Sequence, residues 1–185
     1  MRGNVPGEPM TNVVVVGGVP GSGKTSLARL LASEDPQGVH LEMDGFFRAL
    51  AHRCDPSLPE ADTQNRTVVR ACLAATTEYA AGGYTVYLDG VIGPWLLPAI
   101  TAAVPTFQYV LLHAPLATAL ARARERVTQP SATPEVVTRM HAQFEAVLDT
   151  YRHHVIETDG RTVREVADEF LVRRVIGTHD LPGKG

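Results

Sequence analysis

Cysteine is scarce in this chain: only Cys54 and Cys72 occur among 185 residues. Two such residues make neither a disulfide framework nor a metal-ligand spacing, and neither has a poised histidine partner that would mark a nucleophile. Both read as small packing residues. Long apolar runs are also missing, since nothing approaches the ~20 residues that span a bilayer. The N-terminus lacks the basic stretch and the apolar core of roughly 7–15 residues of a secretory signal. A cytoplasmic protein that makes no membrane contact is therefore expected. Surplus positive charge is absent as well, with 17 Lys and Arg against 20 Asp and Glu. A net charge of −3 argues against general nucleic-acid binding, which needs cations in excess along the phosphate backbone. No internal repeat or low-complexity block is present. What remains is an ordinary globular composition, 44% hydrophobic and 20% charged, long enough for one domain with a sizeable core.

Against that plain background stands Gly18-Val19-Pro20-Gly21-Ser22-Gly23-Lys24-Thr25, which fits G-x-x-x-x-G-K-[ST] at every fixed position. It follows the apolar run 13–16 and leads through Ser26 into a helical pattern, so strand, loop and helix succeed one another as a phosphate cradle requires. The glycines let successive N–H groups converge on one anion, and the first helical turn adds unpaired N–H groups and a positive dipole end. Lys24 is placed for the β- and γ-phosphates, and the Thr25 hydroxyl for Mg²⁺. The pattern predicts binding of a nucleoside triphosphate, with ATP and Mg²⁺ as the expected ligands.

The rest of the chain alternates strand and helix. Strands are expected at 13–16, 39–43, 84–88, 107–112 and 154–158. Helices are expected at 26–32, 46–52, 65–81, 94–103, 116–126, 134–151 and 163–175, the last with Thr162 and Glu165 as a capping box. Residues 1–10 read as a flexible leader and 177–185 as a flexible tail, leaving a domain over 11–176. Alternation of this kind predicts a five-stranded parallel sheet in a three-layer α/β/α fold, with ligands at the carboxyl ends of the strands.

Two acids close strands there. Asp44 follows the second and Asp89 the third, and each precedes a glycine, so each could instead be an ordinary Asp-Gly turn. A carboxylate beside an acceptor hydroxyl can take its proton; a second can hold Mg²⁺. Arg122 and Arg126 lie four apart on one helix face, with Arg124 pointing elsewhere, just before a proline-rich break. Such a pair suits a lid, about residues 122–138, that closes on the triphosphate. The acceptor pocket is expected from residues 44–66 and 91–97, with Phe47 and Trp95 as apolar wall and Arg48 and Arg66 as anchors. The seven histidines read as structural, with no metal-ligand spacing around His141, His153 or His154.

In motif order, from the phosphate loop to Val155-Ile156-Glu157-Thr158-Asp159-Gly160, the chain resembles the small-molecule branch of P-loop kinases over roughly residues 11–175. Within that branch it is similar to chloramphenicol phosphotransferase, zeta-toxin-type kinases, and gluconate and shikimate kinases. The resemblance implies Asp44 as catalytic base, Arg122 and Arg126 on adenine and phosphate, and residues 158–161, including Arg161, along the adenine. Asp89 departs from a standard Walker B strand because Tyr84-Thr85-Val86-Tyr87-Leu88 is mixed rather than apolar. That weighs for a substrate role of Asp89 over a direct metal role. The expected activity is transfer of the γ-phosphoryl of ATP to a hydroxyl of a metabolite or antibiotic. A toxin-type nucleotide-sugar kinase, a nucleotide kinase and a non-kinase nucleotide switch are the alternatives.

Overall fold

The computed structural model describes residues 12–56, 58–125 and 133–175. The expected leader and tail, Arg126 and the rest of 126–132 in the expected lid lie outside the described residues. Strand β1 (Val13–Gly18) runs into the phosphate loop and helix α1 (Lys24–Glu34). Then come β2 (Gly38–Glu42), α2 (Met43–Arg48), α3 (Asp62–Ala81), β3 (Thr85–Asp89), α4 (Leu97–Ala103) and β4 (Gln108–His113). The chain continues with α5 (Leu116–Glu125), α6 (Pro134–Leu148), β5 (Val155–Glu157) and α7 (Val163–Val175). Short 3₁₀ turns precede α3, α4 and β5.

The strands form one parallel sheet in the order β2-β3-β1-β4-β5. Its centre, β1, is buried along its whole length, which is why it reads as an unbroken valine run rather than an alternating one. Successive valines still face opposite ways. Val13 and Val15 pack with Leu73 of α3, Ile100 of α4 and Phe144 of α6. Val14 and Val16 pack with Leu27 and Leu31 of α1 and Phe170 of α7. Helices therefore cover both faces, giving the three-layer α/β/α architecture.

Several boundaries differ from the sequence reading, each for a local reason. Helix α2 starts at Met43 rather than at 46, so Asp44 and Gly45 lie inside its first turn. The positive-φ glycines among the described residues are Gly18, Gly21, Gly23, Gly83 and Gly160. Neither Gly45 nor Gly90 is among them, so the left-handed turn that makes Asp-Gly a common dipeptide forms at neither acid. Strand β5 is short because His154 still belongs to a 3₁₀ turn. The capping box of α7 is present: Thr162 N donates to Glu165 Oε2 at 2.8 Å, and Glu165 N to Thr162 Oγ1 at 3.3 Å. Among the described residues no helix is long and apolar enough to cross a membrane.

Candidate active site

The site forms where β1, β3 and β4 end. Register places Val16 beside Asp89 and Gly18 beside Leu112, so the phosphate loop emerges between the ends of its two neighbours. At Gly21, φ is +86° and an added Cβ would lie 2.4 Å from the Ala119 carbonyl oxygen, so any side chain there would collide with α5. Gly23 caps α1 at φ +92° with no side-chain hydrogen bond, and no acid occupies the first turn. The helix start thus lacks a side-chain anion of its own. Ser22 is fully buried, and its Oγ has no hydrogen-bond partner among the described residues. A buried hydroxyl left without a partner costs roughly 1–3 kcal/mol, so its place in this loop fits a site whose partner is a ligand. Lys24 is 96% enclosed by the same turn, with Nζ 3.4 Å from Val19 O. An unpartnered buried hydroxyl, uncapped N–H groups and a buried lysine together fit a triphosphate.

Beside this loop lies a cleft of about 350 Å³, lined by Gly21, Ser22, Ser26, Arg122, Thr158 and Arg161 among others. Arg122 crosses it. Its Nη1 donates to Gly21 O at 3.4 Å and to Thr158 Oγ1 at 3.2 Å, and its Nη2 to Thr158 O at 3.0 Å. One guanidinium therefore joins the phosphate loop to the segment after β5. Arg161 lines the cleft but is held by its own neighbours: Nη1 bonds Glu169 Oε2 at 2.5 Å and Nη2 bonds Glu165 O at 2.9 Å. Arg124 is exposed.

On the other side stand the two acids. Asp89 is 1% exposed, and its carboxylate accepts from Thr25 Oγ1 at 2.6 Å through Oδ2. Its Oδ1 lies 2.6 Å from His40 Nε2. The mixed composition of β3 has a structural cause: Tyr87 is buried on the α1 face and its hydroxyl donates to Asp35 at 3.1 Å. A polar-tipped strand can therefore still deliver a buried acid to the phosphate loop. His40 was given no role from sequence. Its signal is the alternation of β2, which puts His40 and Glu42 on one face, two residues before the site.

Asp44 sits in the first turn of α2, and its carboxyl is pushed above the ordinary carboxylate range. Burial is the main cause; Lys24 opposes it, and the negative charges of Asp89 and Glu42 add to it. Asp44 thus feels the charges of Lys24, Asp89 and Arg48. Arg48 itself is paired with Glu42, Nη2 to Oε2 at 2.8 Å. Phe47 packs on the core edge behind it. Arg66 is exposed and pairs with Asp62 one turn earlier at 3.0 Å. Trp95 is 47% exposed and leans on Phe144 of α6, with ring centroids 5.0 Å apart. Of the residues expected at the acceptor, Asp89 bonds Thr25 of the phosphate loop and Asp44 feels the charges of Lys24 and Asp89, while Arg66 pairs with Asp62 and Trp95 leans on Phe144. Burial drives the Cys72 thiol up to about 12, with the charge of Asp89 adding to the rise, so it carries no thiolate chemistry.

A family profile described as AAA domain, AAA_33, matches residues 13–148. The chain belongs to the AAA_33 family. Several solved structures share the fold of this AAA_33 protein. A sugar kinase from Janibacter sp. HTCC2649 is 21% identical with a TM-score of 0.69, covering 91% of this chain and 96% of its own. Shikimate kinase from Acinetobacter baumannii, in complex with shikimate, is 20% identical with a TM-score of 0.63 over 91% and 95%. The tunicamycin resistance protein of Deinococcus radiodurans is 20% identical with a TM-score of 0.60 over 93% and 99%. No curated protein sequence matches the chain.

One further cluster lies behind the cleft. His113, at the end of β4, contacts Glu157 through Nδ1 at 2.6 Å and Glu145 of α6 through Nε2 at 2.8 Å. His141 Nε2 lies 3.6 Å from the same Glu145 oxygen. The sequence reading found no metal-ligand spacing at His141, yet Glu145 is four residues on, one helical turn away on the same face.

Proposed function

We propose that the protein is an ATP- and Mg²⁺-dependent kinase that transfers the γ-phosphoryl group to a hydroxyl of a small molecule, either a metabolite or an antibiotic. The observation that carries this reading is the placement of Asp44. A half-buried carboxyl in the first turn of α2, held above the ordinary carboxylate range by desolvation, feels the charge of Lys24 in the phosphate loop and of Asp89 at the end of β3. A nucleotide switch has no need of a second, basic carboxylate there. A phosphotransferase with an alcohol acceptor does.

In this reading the loop from Gly18 through Val19, Pro20, Gly21, Ser22 and Gly23 to Ser26 holds the phosphates, with Lys24 on the transferring group. Arg122 and Arg161 border the base side of the cleft. Thr25 and Asp89 hold Mg²⁺, because the hydroxyl and carboxylate already meet at 2.6 Å; the same contact makes a metal role for Asp89 a better fit than a substrate role. Bound Mg²⁺ supplies charge neutralisation on the phosphates. His40 contacts the second oxygen of Asp89 and so orients the carboxylate that would help hold the ion. Asp44 accepts the proton of the acceptor hydroxyl as its oxygen bonds to the γ-phosphorus. The bond from that phosphorus to the bridging oxygen breaks, and ADP leaves. The solved sugar kinase and shikimate kinase, which share this fold by name and shape, support a polyhydroxylated acceptor.

The test is incubation with γ-labelled ATP and a panel of sugars, hydroxy acids and antibiotics. Transfer of label to one class, lost in Asp44→Asn, is the expected result. Label released only as inorganic phosphate across the whole panel would remove the kinase reading in favour of an ATPase.

A further inference from the structure

The cluster behind the cleft is a ligand set without an assigned ligand. Two imidazoles and one carboxylate, from β4 and α6, offer donor atoms that all lie within 4.8 Å of one another. Metal–ligand distances of about 2.0–2.2 Å in a tetrahedral site place donor atoms roughly 3.4 Å apart. The separations here, 2.8 Å from His113 Nε2 to Glu145 Oε1 and 3.6 Å from His141 Nε2 to the same oxygen, bracket that value.

The hydrogen-bond arithmetic at His113 points the same way. A neutral imidazole has one N–H, yet carboxylate oxygens approach both ring nitrogens, at 2.6 and 2.8 Å. Either the ring carries a second proton, or a cation sits at Nε2 in its place. Glu157 on Nδ1 is the arrangement that orients a metal-bound histidine and fixes Nε2 as the coordinating atom. His113 and His141 are largely enclosed, while Glu145 is half exposed, which leaves an entry path from solvent.

We infer that His113, His141 and Glu145 bind a divalent transition ion of the zinc type, with Glu157 as the orienting carboxylate. Imidazole and carboxylate donors suit zinc rather than Mg²⁺, which prefers oxygen ligands alone. On binding, His141 Nε2 exchanges its contact with Ala114 O, at 3.0 Å, for the ion. The ion pins α6 to the end of β4. The carbonyl of that same His113 accepts from Thr158 N at 2.8 Å, so the pin lies directly behind the segment that Arg122 grips. The site is separate from the proposed Mg²⁺ position at Thr25 and Asp89, and the inference stands whatever the acceptor is.

Calorimetric titration of the metal-stripped full chain with Zn²⁺, beside Co²⁺ absorption spectra, tests it. One equivalent is expected, with the visible bands of tetrahedral Co²⁺ and a Zn²⁺-dependent rise in melting temperature. Glu145→Gln and His141→Gln each abolish that equivalent; Glu157→Gln weakens it about 10–100-fold. Glu145 is half exposed, so its variant retains the fold and reports on the metal alone. Thr25→Ala, at the nucleotide site, and His153→Gln, an exposed histidine outside the cluster, retain the equivalent. No stoichiometric binding by the unaltered chain, a melting temperature that responds to pH but not to Zn²⁺, or equal loss in Thr25→Ala or His153→Gln would each overturn the inference.

Discussion

On the proposed nucleotide side of the cleft the atoms offered to a ligand are mostly backbone, contributed by eight consecutive residues and the first turn of α1. The proposed acceptor side differs: there they are side chains from α2, β2 and β3, brought together only by the sheet. The first kind of site is held by glycine geometry and by the contact of the loop with α5. The second depends on a carboxyl kept partly against its preference: Asp44 is half-buried, feels the negative charges of two other acids and is eased by Lys24 and Arg48. A backbone cradle tolerates many neighbours but no side chain at Gly21. A carboxylate cradle tolerates many shapes, but its basicity is lost with its burial. The two halves should therefore fail differently when altered.

The largest effect is expected at their junction. Lys24→Ala removes the buried cation that faces both halves, the phosphates on one side and Asp44 on the other. Turnover should fall by more than ~10³-fold, in line with loss of a main electrostatic stabiliser of the transition state. Folding, measured by circular dichroism, should persist. Near-wild-type label transfer would dissolve the distinction between the halves by removing the residue that joins them.

Next is Asp44→Asn. It keeps size and hydrogen bonding but removes the proton acceptor, so kcat should fall ~10²–10⁴-fold with ATP affinity unchanged by calorimetry. The pKa direction adds a second readout. For an acid whose folded pKa lies above its unfolded one, the favourable contribution is present below the unfolded value and is lost as pH rises through the folded value. At neutral pH Asp44 thus destabilises the fold. Asp44→Asn should raise the melting temperature there, and the difference should vanish in acid. In the unaltered enzyme kcat should fall as pH drops through the raised value, because the base is then protonated. A lowered melting temperature with normal kcat would make Asp44 a structural acid.

How much of each half was legible in the sequence follows from the same contrast. The backbone cradle is a contiguous string, and each fixed position has one steric or electrostatic reason, so it can be read without neighbours. Layer order and sheet topology are legible too, because apolar strands alternating with helices allow little else. Asp44 and Asp89 were found because they close strands. Their setting was not, since burial and the Thr25 and His40 contacts join residues 49 to 64 positions apart. Arg66 and Trp95 have partners that the sequence reading did not give. Their types suit a pocket, but an ion pair one helical turn back and an aromatic neighbour on α6 engage them instead.

Arg122→Ala sharpens the nucleotide side. It removes charge-assisted bonds to Gly21 O and Thr158, each worth about 1.5–3 kcal/mol, so ATP affinity should weaken roughly 10–100-fold. The acceptor KM should change little. Exposed Arg124→Ala should be close to neutral in both measurements. Equal losses at the two arginines would mean that general positive charge, not the bridge across the cleft, holds the nucleotide.

The smallest effect is expected from Arg66→Ala on the acceptor side. Arg66 lies one turn from Asp62, and both side chains are largely in water, at 72% and 65% exposure. An exposed i,i+4 pair is worth about 0.3–0.5 kcal/mol, and its partner Asp62 stays solvated when the arginine is removed. Stability by denaturant titration should therefore shift by no more than that amount, and less in high salt, where the pair is screened. If the acceptor side consists of Asp44 and its buried neighbours, kcat and the acceptor KM should both stay within about twofold of the unaltered enzyme. A KM raised tenfold, with kcat and ATP affinity intact, would mean that Arg66 leaves Asp62 to grip an anionic acceptor. The acceptor half would then be completed by its substrate rather than built in advance, as the phosphate loop is.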